Sequence, residues 1–135
     1  MKISYSIATE LDCLGISYVI AHSWNETYKG LVSQKCLDLK IENIKSKSEK
    51  IKDYLKTSGN SYYVAKDENN VIGVVSFSKQ ENELYKDYGE LCSIYLLKQY
   101  HGYNIGKTLL KIAVEGLKKW ATTKWNLNVC LEIIL

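Results

Sequence analysis

The sequence has no proline, and its 135 residues include only two histidines and one phenylalanine. Without proline, its turns must be made by glycine, asparagine and clusters of charged residues. The four cysteines, Cys13, Cys36, Cys92 and Cys130, form no C-x-x-C pair. With two histidines, they have neither the spacing of a zinc site nor that of a disulfide framework. We therefore expect reduced structural thiols and no bound metal.

The sequence also lacks an apolar run of the ~20 residues that cross a bilayer, and its first six residues alternate apolar and polar. A soluble, cytoplasmic protein is the expectation. The formal net charge is only +3, with lysines scattered through the chain. Neither nucleic acid nor a membrane is therefore expected as a partner. The length and the absence of linkers predict one domain over residues 1–135.

Hydrophobic periodicity predicts a helical region on each side of a group of strands. Ile3, Tyr5 and Ile7 alternate as in a half-buried strand, and Thr9 to Asp12 reads as a capping box that opens a helix toward Trp24. Apolar residues then recur at helical spacing among lysines and glutamates over residues 41–55, and Gly59 stands where that second helical region would end.

The second half of the chain reads as three strands, a helix and a strand. Residues 61–66 and 71–77 are β-rich and are joined by turn-forming residues 67–70, which predicts a hairpin. A third β-rich run covers residues 90–97, an amphipathic helix starts near Ile105, and Trp125 to Leu131 reads as a last strand. This order predicts an α/β protein with helices on both faces of one sheet.

The loop that carries Gly102 and Gly106, between the third β-rich run and the helix, is the most informative segment. Free N–H groups at a helix start carry partial positive charge, and glycines let an anion approach the backbone. A glycine turn that merely starts a helix is the alternative interpretation. The stretch G-x-x-x-G-K-T from Gly102 to Thr108 is one residue short of a P-loop, and no aspartate follows Asp87 to bind magnesium. A nucleotide hydrolase is therefore disfavoured.

Residues 94–110 resemble motif A of the GCN5-related N-acetyltransferases, which has Q/R-x-x-G-x-G/A between the fourth strand and the third helix. Those positions fall on His101, Asn104 and Gly106, of which only Gly106 matches. Ser23 to Leu31 is similar to the S-W-x-x-T-Y-x-G segment of many bacterial members, and Asp87 to Leu91 is similar to their entry into the fourth strand. The resemblance covers about residues 3–131. It implies the acyl-CoA N-acyltransferase fold, a mixed and mostly antiparallel sheet flanked by helices.

The resemblance implies acetyl-CoA as co-substrate. Main-chain groups of Ile94 and Leu96 would meet the pantetheine arm, and the amides from His101 to Lys107 would bind the diphosphate. The implied cofactor-binding residues are Ile94, Leu96, His101, Gly102, Tyr103, Asn104, Ile105, Gly106, Lys107 and Thr108. Asn104 can replace glycine if its φ is negative, or if it adopts the left-handed region that asparagine tolerates. Trp24, Thr27 and Tyr28 would line the acceptor side.

Acetyl transfer to an amine needs a base, because an amine with a pKa near 10.4 must lose a proton at a cost of about 4 kcal/mol. By resemblance Glu90 is the candidate catalytic base, and Glu83 is a weaker alternative. Tyr95, Tyr100 and Tyr103 are conceivable general acids, and the sequence does not distinguish them. The alternative interpretation is that Glu90 has a structural role, as the cross-strand partner of a lysine.

Family members usually continue with N-x-x-A-x-x-F-Y-x-x-x-G, a helix and two further strands, which this sequence does not contain. The resemblance therefore describes a fold truncated at its C-terminal end. An apolar terminal edge over residues 128–135 then predicts pairing with another chain, most simply a homodimer. Two functions remain open: an N-acetyltransferase that acts on a small-molecule or peptide amine, and a non-catalytic homologue that binds CoA or a partner protein.

Overall fold

The computed structural model describes residues 1–56, 60–79, 89–120 and 132–134. Its strands are β1 (Ile3–Ile7), β2 (Asn60–Asp67), β3 (Asn70–Lys79), β4 (Gly89–Leu96) and β5 (Glu132–Ile134). Its helices are α1 (Cys13–Tyr28), α2 (Gln34–Glu42), α3 (Ile44–Lys56) and α4 (Ile105–Trp120). Among these helices, none has the length and apolar character that crossing a membrane requires.

The strands form one sheet in the order β1-β2-β3-β4-β5. The first four pair antiparallel, and β5 pairs parallel with β4. The predicted hairpin of β2 and β3 is confirmed, with Asp67 opposite Asn70 and with Glu68 in the turn at φ +57°. The mixed, mostly antiparallel sheet of the prediction is therefore confirmed.

Helices cover both faces of the sheet, because each face presents its own apolar cluster. On one face, α4 packs its buried stripe against β3 and β4: Ile105, Leu109, Ala113 and Leu117 against Val75, Phe77, Leu91, Ile94 and Leu96. On the other face, α1 and α3 pack against the middle of the sheet: Cys13, Ile16, Val19 and Ile51 against Val64, Val74 and Tyr95. Since these side chains are almost completely buried, the two clusters supply most of the hydrophobic stabilisation.

Close helix packing on β3 depends on one glycine of α4. A Cβ added at Gly116 would collide with the ring of Phe77, whose side chain is buried in the same cluster. The ring occupies the space that any larger residue at position 116 would fill. Glycine at this position therefore lets α4 lie close to the sheet, in spite of the lower helix propensity of glycine.

The entry to α1 is fixed by the predicted capping box. The Asp12 carboxylate accepts a hydrogen bond from the Thr9 backbone N–H at 2.9 Å, and a single 3-10 turn, Glu10–Asp12, leads into the helix. The same carboxylate lies 2.8 Å from the Lys66 ammonium on β2. Burial alone would raise the pKa of Asp12, but the hydrogen bonds from Lys66 and Thr9 outweigh it and lower that pKa below 3.8. This pair ties the start of α1 to the sheet.

The predicted second helical region is present and consists of two helices, since residues 41–55 do not form one continuous helix. The chain breaks at Asn43 into α2 and α3, and the Asn43 N–H donates to the carbonyl of Leu39 to close α2. At the break, the buried Ser17 hydroxyl donates to the Ile44 carbonyl at 2.7 Å. Helical periodicity continues through such a break, so the sequence did not reveal it. Gly59 and the strand predicted at residues 125–131 lie outside the described residues.

We expect Asp12→Asn to lower the free energy of unfolding by about 2 kcal/mol at pH 7, because it leaves the partly buried Lys66 ammonium without its anion. Since the folded-state pKa of Asp12 is depressed, its stabilisation is complete above the unfolded value and is lost as pH falls through the folded value. Urea unfolding of both proteins from pH 7 down to pH 3 checks this. An unchanged difference across that range would contradict it.

Candidate active site

The loop between β4 and α4 reverses the chain within a few residues. A 3-10 turn, Lys98–Tyr100, follows Leu97, and α4 starts at Ile105 as predicted. Gly102 has φ +88° and Asn104 has φ +64°, so Asn104 adopts the left-handed conformation rather than a negative φ. Two left-handed residues on either side of Tyr103 turn the loop back into the helix.

Six consecutive backbone N–H groups at this turn have no acceptor within the described part of the chain: those from Gly102 to Lys107. The first bond of the helix is made by Thr108, whose N–H and hydroxyl both donate to the Asn104 carbonyl at 3.1 and 3.0 Å. The His101 N–H is already used, since it donates to the Lys98 carbonyl at 3.0 Å. The amides available to an anion therefore begin at Gly102, one residue later than expected, and Thr108 contributes none.

Three side-chain hydrogen bonds hold this loop against the rest of the molecule. The Glu26 carboxylate on α1 accepts the Lys98 N–H at 3.2 Å. The Tyr100 hydroxyl donates to the Asp67 carboxylate at 2.8 Å, and Asp67 also accepts the Lys2 N–H. The hydrogen bond from Lys2 lowers the pKa of Asp67, and the bond to Asp67 raises the pKa of Tyr100.

The third of these bonds joins His101 to β4. Its Nε2 lies 3.0 Å from the Leu96 carbonyl, and since a carbonyl only accepts, this nitrogen carries the hydrogen. His101 is therefore a half-buried part of the loop's support, and it fills a position for which the family motif has glutamine or arginine.

The outer edge of β4 is covered along only part of its length. β5 pairs with Ser93, Ile94 and Tyr95, and within the described residues the pairing does not reach Leu96. Ile94, whose main-chain groups are expected to meet a cofactor, lies opposite Ile133 of β5, and its side chain is fully buried. Leu96, beside the loop, has no β5 partner among the described residues.

A cleft of about 170 Å³ lies where the end of β4 faces α1. Ser23, Glu26 and Thr27 line it from α1, and Leu96, Lys98 and His101 line it from the end of β4 and the loop. Its lining ends where the free amides begin, since Gly102 follows His101.

The residues predicted to line the acceptor side do not all lie together. The rings of Trp24 and Tyr28 are in contact, with centroids 4.5 Å apart, and the Trp24 indole N–H donates to the Tyr95 hydroxyl at 3.4 Å. The Lys40 ammonium lies 4.0 Å from the centre of the Trp24 ring. Thr27 instead lines the cleft at the loop. The aromatic cluster thus connects α1 and α2 to the buried side of β4.

The three candidate tyrosines lie in different surroundings. Tyr95 is 5% exposed beside Trp24, the Tyr100 hydroxyl is engaged by Asp67, and Tyr103 is 57% exposed in the loop. Tyr95 is therefore the candidate acid that faces the aromatic cluster. The Glu90 backbone pairs with Ser78 in the β3–β4 register, but its side chain lies outside the described part of the structure, as does the whole of Glu83.

Sequence reasoning missed three side chains of this region: Ser23, Glu26 and Asp67. Ser23 and Glu26 stand in the segment that resembles the S-W-x-x-T-Y-x-G pattern, which is the signal that could have found them. Asp67 was predicted only as a turn residue, and its sequence position gave no sign of its contact with the loop. Over the described ranges, no group of three or more histidine, cysteine or acidic side chains could hold a metal ion.

We expect the backbone of Asn104 to govern the stability of the loop. Asn104→Ala should lower the free energy of unfolding by about 1 kcal/mol, because the left-handed conformation is strained for alanine. Asn104→Gly is the matched control, since it removes the same side chain without that strain and should remain within a few tenths of a kcal/mol of wild type. Urea unfolding measures both changes. Equal stability of the two variants would rule out a left-handed residue 104.

The model of the acetyltransferase (GNAT) family matches residues 19–131. No protein of curated function matches the sequence. Among solved structures, the chain is similar to PaiA N-acetyltransferase from Thermoplasma acidophilum in complex with coenzyme A, with 26% identity, a TM-score of 0.73, and coverage of 88% of this chain and 74% of the other.

Two further structures share the fold at lower identity. A GNAT family acetyltransferase from Staphylococcus aureus has 16% identity and a TM-score of 0.68, with 95% of this chain and 87% of the other covered. A GNAT family acetyltransferase from Brucella melitensis, in complex with acetyl-CoA, has 17% identity and a TM-score of 0.60, with 87% and 69% covered. Since the family match spans most of the described fold, including the loop and α4, the chain belongs to the GNAT acetyltransferase family.

Proposed function

We propose that this chain transfers the acetyl group of acetyl-CoA to a primary amine. The observation that carries the proposal is the run of amides from Gly102 to Lys107, which have no acceptor among the described residues, at the start of the 16-residue helix α4. Such a helix start attracts anions through its partial positive charge and its free donors. The diphosphate of CoA has the charge and the acceptor oxygens that these donors require. Lys107 adds an exposed positive charge at the same turn.

In this proposal the diphosphate binds the amides, and the pantetheine arm enters the cleft at Leu96 and carries the thioester toward the outer edge of β4. Structures similar to this chain have been solved with coenzyme A or acetyl-CoA. Main-chain recognition explains why the loop can keep this role with histidine and asparagine at two motif positions. The N–H groups are presented by the backbone, whatever the side chains are.

The chemistry requires an uncharged amine. Its nitrogen attacks the thioester carbon, a tetrahedral intermediate forms, and the C–S bond breaks to release CoA thiolate. The amine loses a proton to a base, for which we propose Glu90, and the thiolate gains one from a general acid, for which we propose Tyr95. The acceptor would approach from the side of Trp24 and Tyr28, whose rings lie beside Tyr95.

The first test combines calorimetry with acetyl-CoA and measurement of thiol release with a panel of amines: amino acids, diamines, aminoglycosides and peptides with free N-termini. We expect acetyl-CoA to bind and at least one amine to accelerate thiol release. Binding without thiol release for any amine would favour the non-catalytic alternative. No binding at millimolar ligand would overturn the proposal.

We expect Glu90→Gln to reduce kcat by about 100-fold or more at pH 7 and to leave the Kd for acetyl-CoA within about twofold, because a glutamine cannot accept the amine proton. Glu115→Gln is the matched control, since Glu115 lies exposed on α4 and should keep the wild-type rate. Full activity of Glu90→Gln would remove Glu90 from the mechanism and leave cofactor binding untouched.

We also propose that the chain self-associates through the β5 edge of the sheet. β5 is last in the strand order, and within the described residues it pairs only with β4. A strand edge with free N–H and C=O groups is a template for pairing with another chain. Sedimentation velocity at micromolar concentration should give a dimer. A single monomeric species at that concentration would contradict this prediction.

A further inference from the structure

Ser23 of α1 carries the one buried side-chain polar atom that lacks a hydrogen-bond partner within the described residues. The residue is only 1% exposed, and its Oγ neither donates to nor accepts from any described residue. Other buried serines behave differently: the Ser17 hydroxyl donates to the Ile44 carbonyl, and the Ser76 hydroxyl bonds with that of Ser93. Since buried polar groups in native proteins are almost always paired, an unpaired hydroxyl calls for a specific explanation.

The position of Ser23 explains its unpaired hydroxyl, because the residue lines the cleft of about 170 Å³ between α1 and the end of β4. A hydroxyl at a cleft wall gains its missing hydrogen bond when a ligand atom arrives there. In the ligand-free protein, the Ser23 hydroxyl has no hydrogen-bond partner among the described residues. A polar ligand group that bonds with the Ser23 hydroxyl therefore removes the free-energy cost of the unpaired hydroxyl, and this gain contributes to binding affinity.

The other polar groups of the cleft indicate what kind of ligand atom fits. Glu26 contributes a carboxylate that also accepts the Lys98 N–H, and Leu96 contributes a carbonyl oxygen that His101 already contacts. Glu26 and Lys98 both line the cleft, so their opposite charges leave no net charge there to attract an anion. The cleft is therefore suited to a neutral group with both N–H and C=O, whereas the diphosphate belongs at the amides from Gly102 to Lys107.

We infer that the Ser23 hydroxyl is a hydrogen-bond partner for an amide group of the pantetheine arm of acetyl-CoA. This inference rests on the proposed function and adds a residue of α1 to the binding site. It divides the cofactor site into two parts: main-chain amides of the loop hold the charged nucleotide end, and a buried side chain of α1 holds the neutral arm.

The test compares Ser23→Ala with Ser17→Ala, a second buried serine of the same helix. Calorimetry is performed with acetyl-CoA and with 3′-phosphoadenosine 5′-diphosphate, which has the diphosphate but lacks the arm. For Ser23→Ala we expect the Kd for acetyl-CoA to rise about 5- to 10-fold and the Kd for the nucleotide to stay within about twofold. The Tm of the ligand-free variant should remain within about 1 °C of wild type, because no hydrogen bond is lost.

Ser17→Ala should show the opposite behaviour. Its hydroxyl has a partner, so we expect the ligand-free Tm to fall by about 3–6 °C while the Kd for acetyl-CoA stays within about twofold. A merely structural role for Ser23 would lower the Tm of Ser23→Ala in the same way and would overturn the inference.

The remaining outcomes separate this inference from the proposed function. Wild-type protein that binds acetyl-CoA, together with Ser23→Ala that binds it equally well, overturns the role of Ser23 and leaves the proposed function standing. Equal losses for acetyl-CoA and the nucleotide would place Ser23 at the diphosphate and would also overturn the inference. Wild-type protein that does not bind acetyl-CoA removes both.

Discussion

The site depends on where α4 is made to start. Ile105, the first residue of that helix, is 2% exposed and packs with Leu109, Ala113 and Leu117 against β3 and β4. This buried stripe fixes the helix on the sheet, so the helix cannot slide or rotate to find partners for its first N–H groups. An α-helix has no internal acceptors for those groups. Hydrophobic packing on one side of α4 thus maintains, at its start, a row of donors that have no acceptor in the described part of the chain.

The loop before α4 is kept in place by groups from three separate parts of the chain. Glu26 reaches it from α1, Asp67 reaches it from the β2–β3 turn, and the Leu96 carbonyl holds His101 from β4. Each bond engages a group outside the run from Gly102 to Lys107. Because the supports contact the flanks of the loop, the donors in its centre remain free while the backbone that carries them is fixed. That is the arrangement that electrostatic recognition of an anion favours.

Much of the fold could be predicted from the sequence, because hydrophobic periodicity and turn chemistry are local signals. The hairpin, the capping box at Thr9 and the start of α4 at Ile105 follow from such signals, and all are present in the structure. The break at Asn43 did not follow, since helical periodicity continues across it and the bond made there comes from Ser17, a residue far away in the chain. For the same reason, the hydrogen bond between Tyr100 and Asp67 and the unpaired hydroxyl of Ser23 could not be predicted from the sequence. Both arise only when distant elements pack together.

The position of Asn104 shows how a motif residue can change while the backbone conformation is kept. The family pattern has glycine there, and the structure explains why, because the residue has φ +64°. Asparagine is among the few other residues that reach this conformation at low cost, so the replacement keeps the path of the chain. The same path keeps the Asn104 carbonyl as acceptor for Thr108 and leaves the neighbouring N–H groups free. Two departures from the motif, at His101 and Asn104, therefore alter side chains around the turn but preserve the main-chain donors on which the proposed anion binding depends.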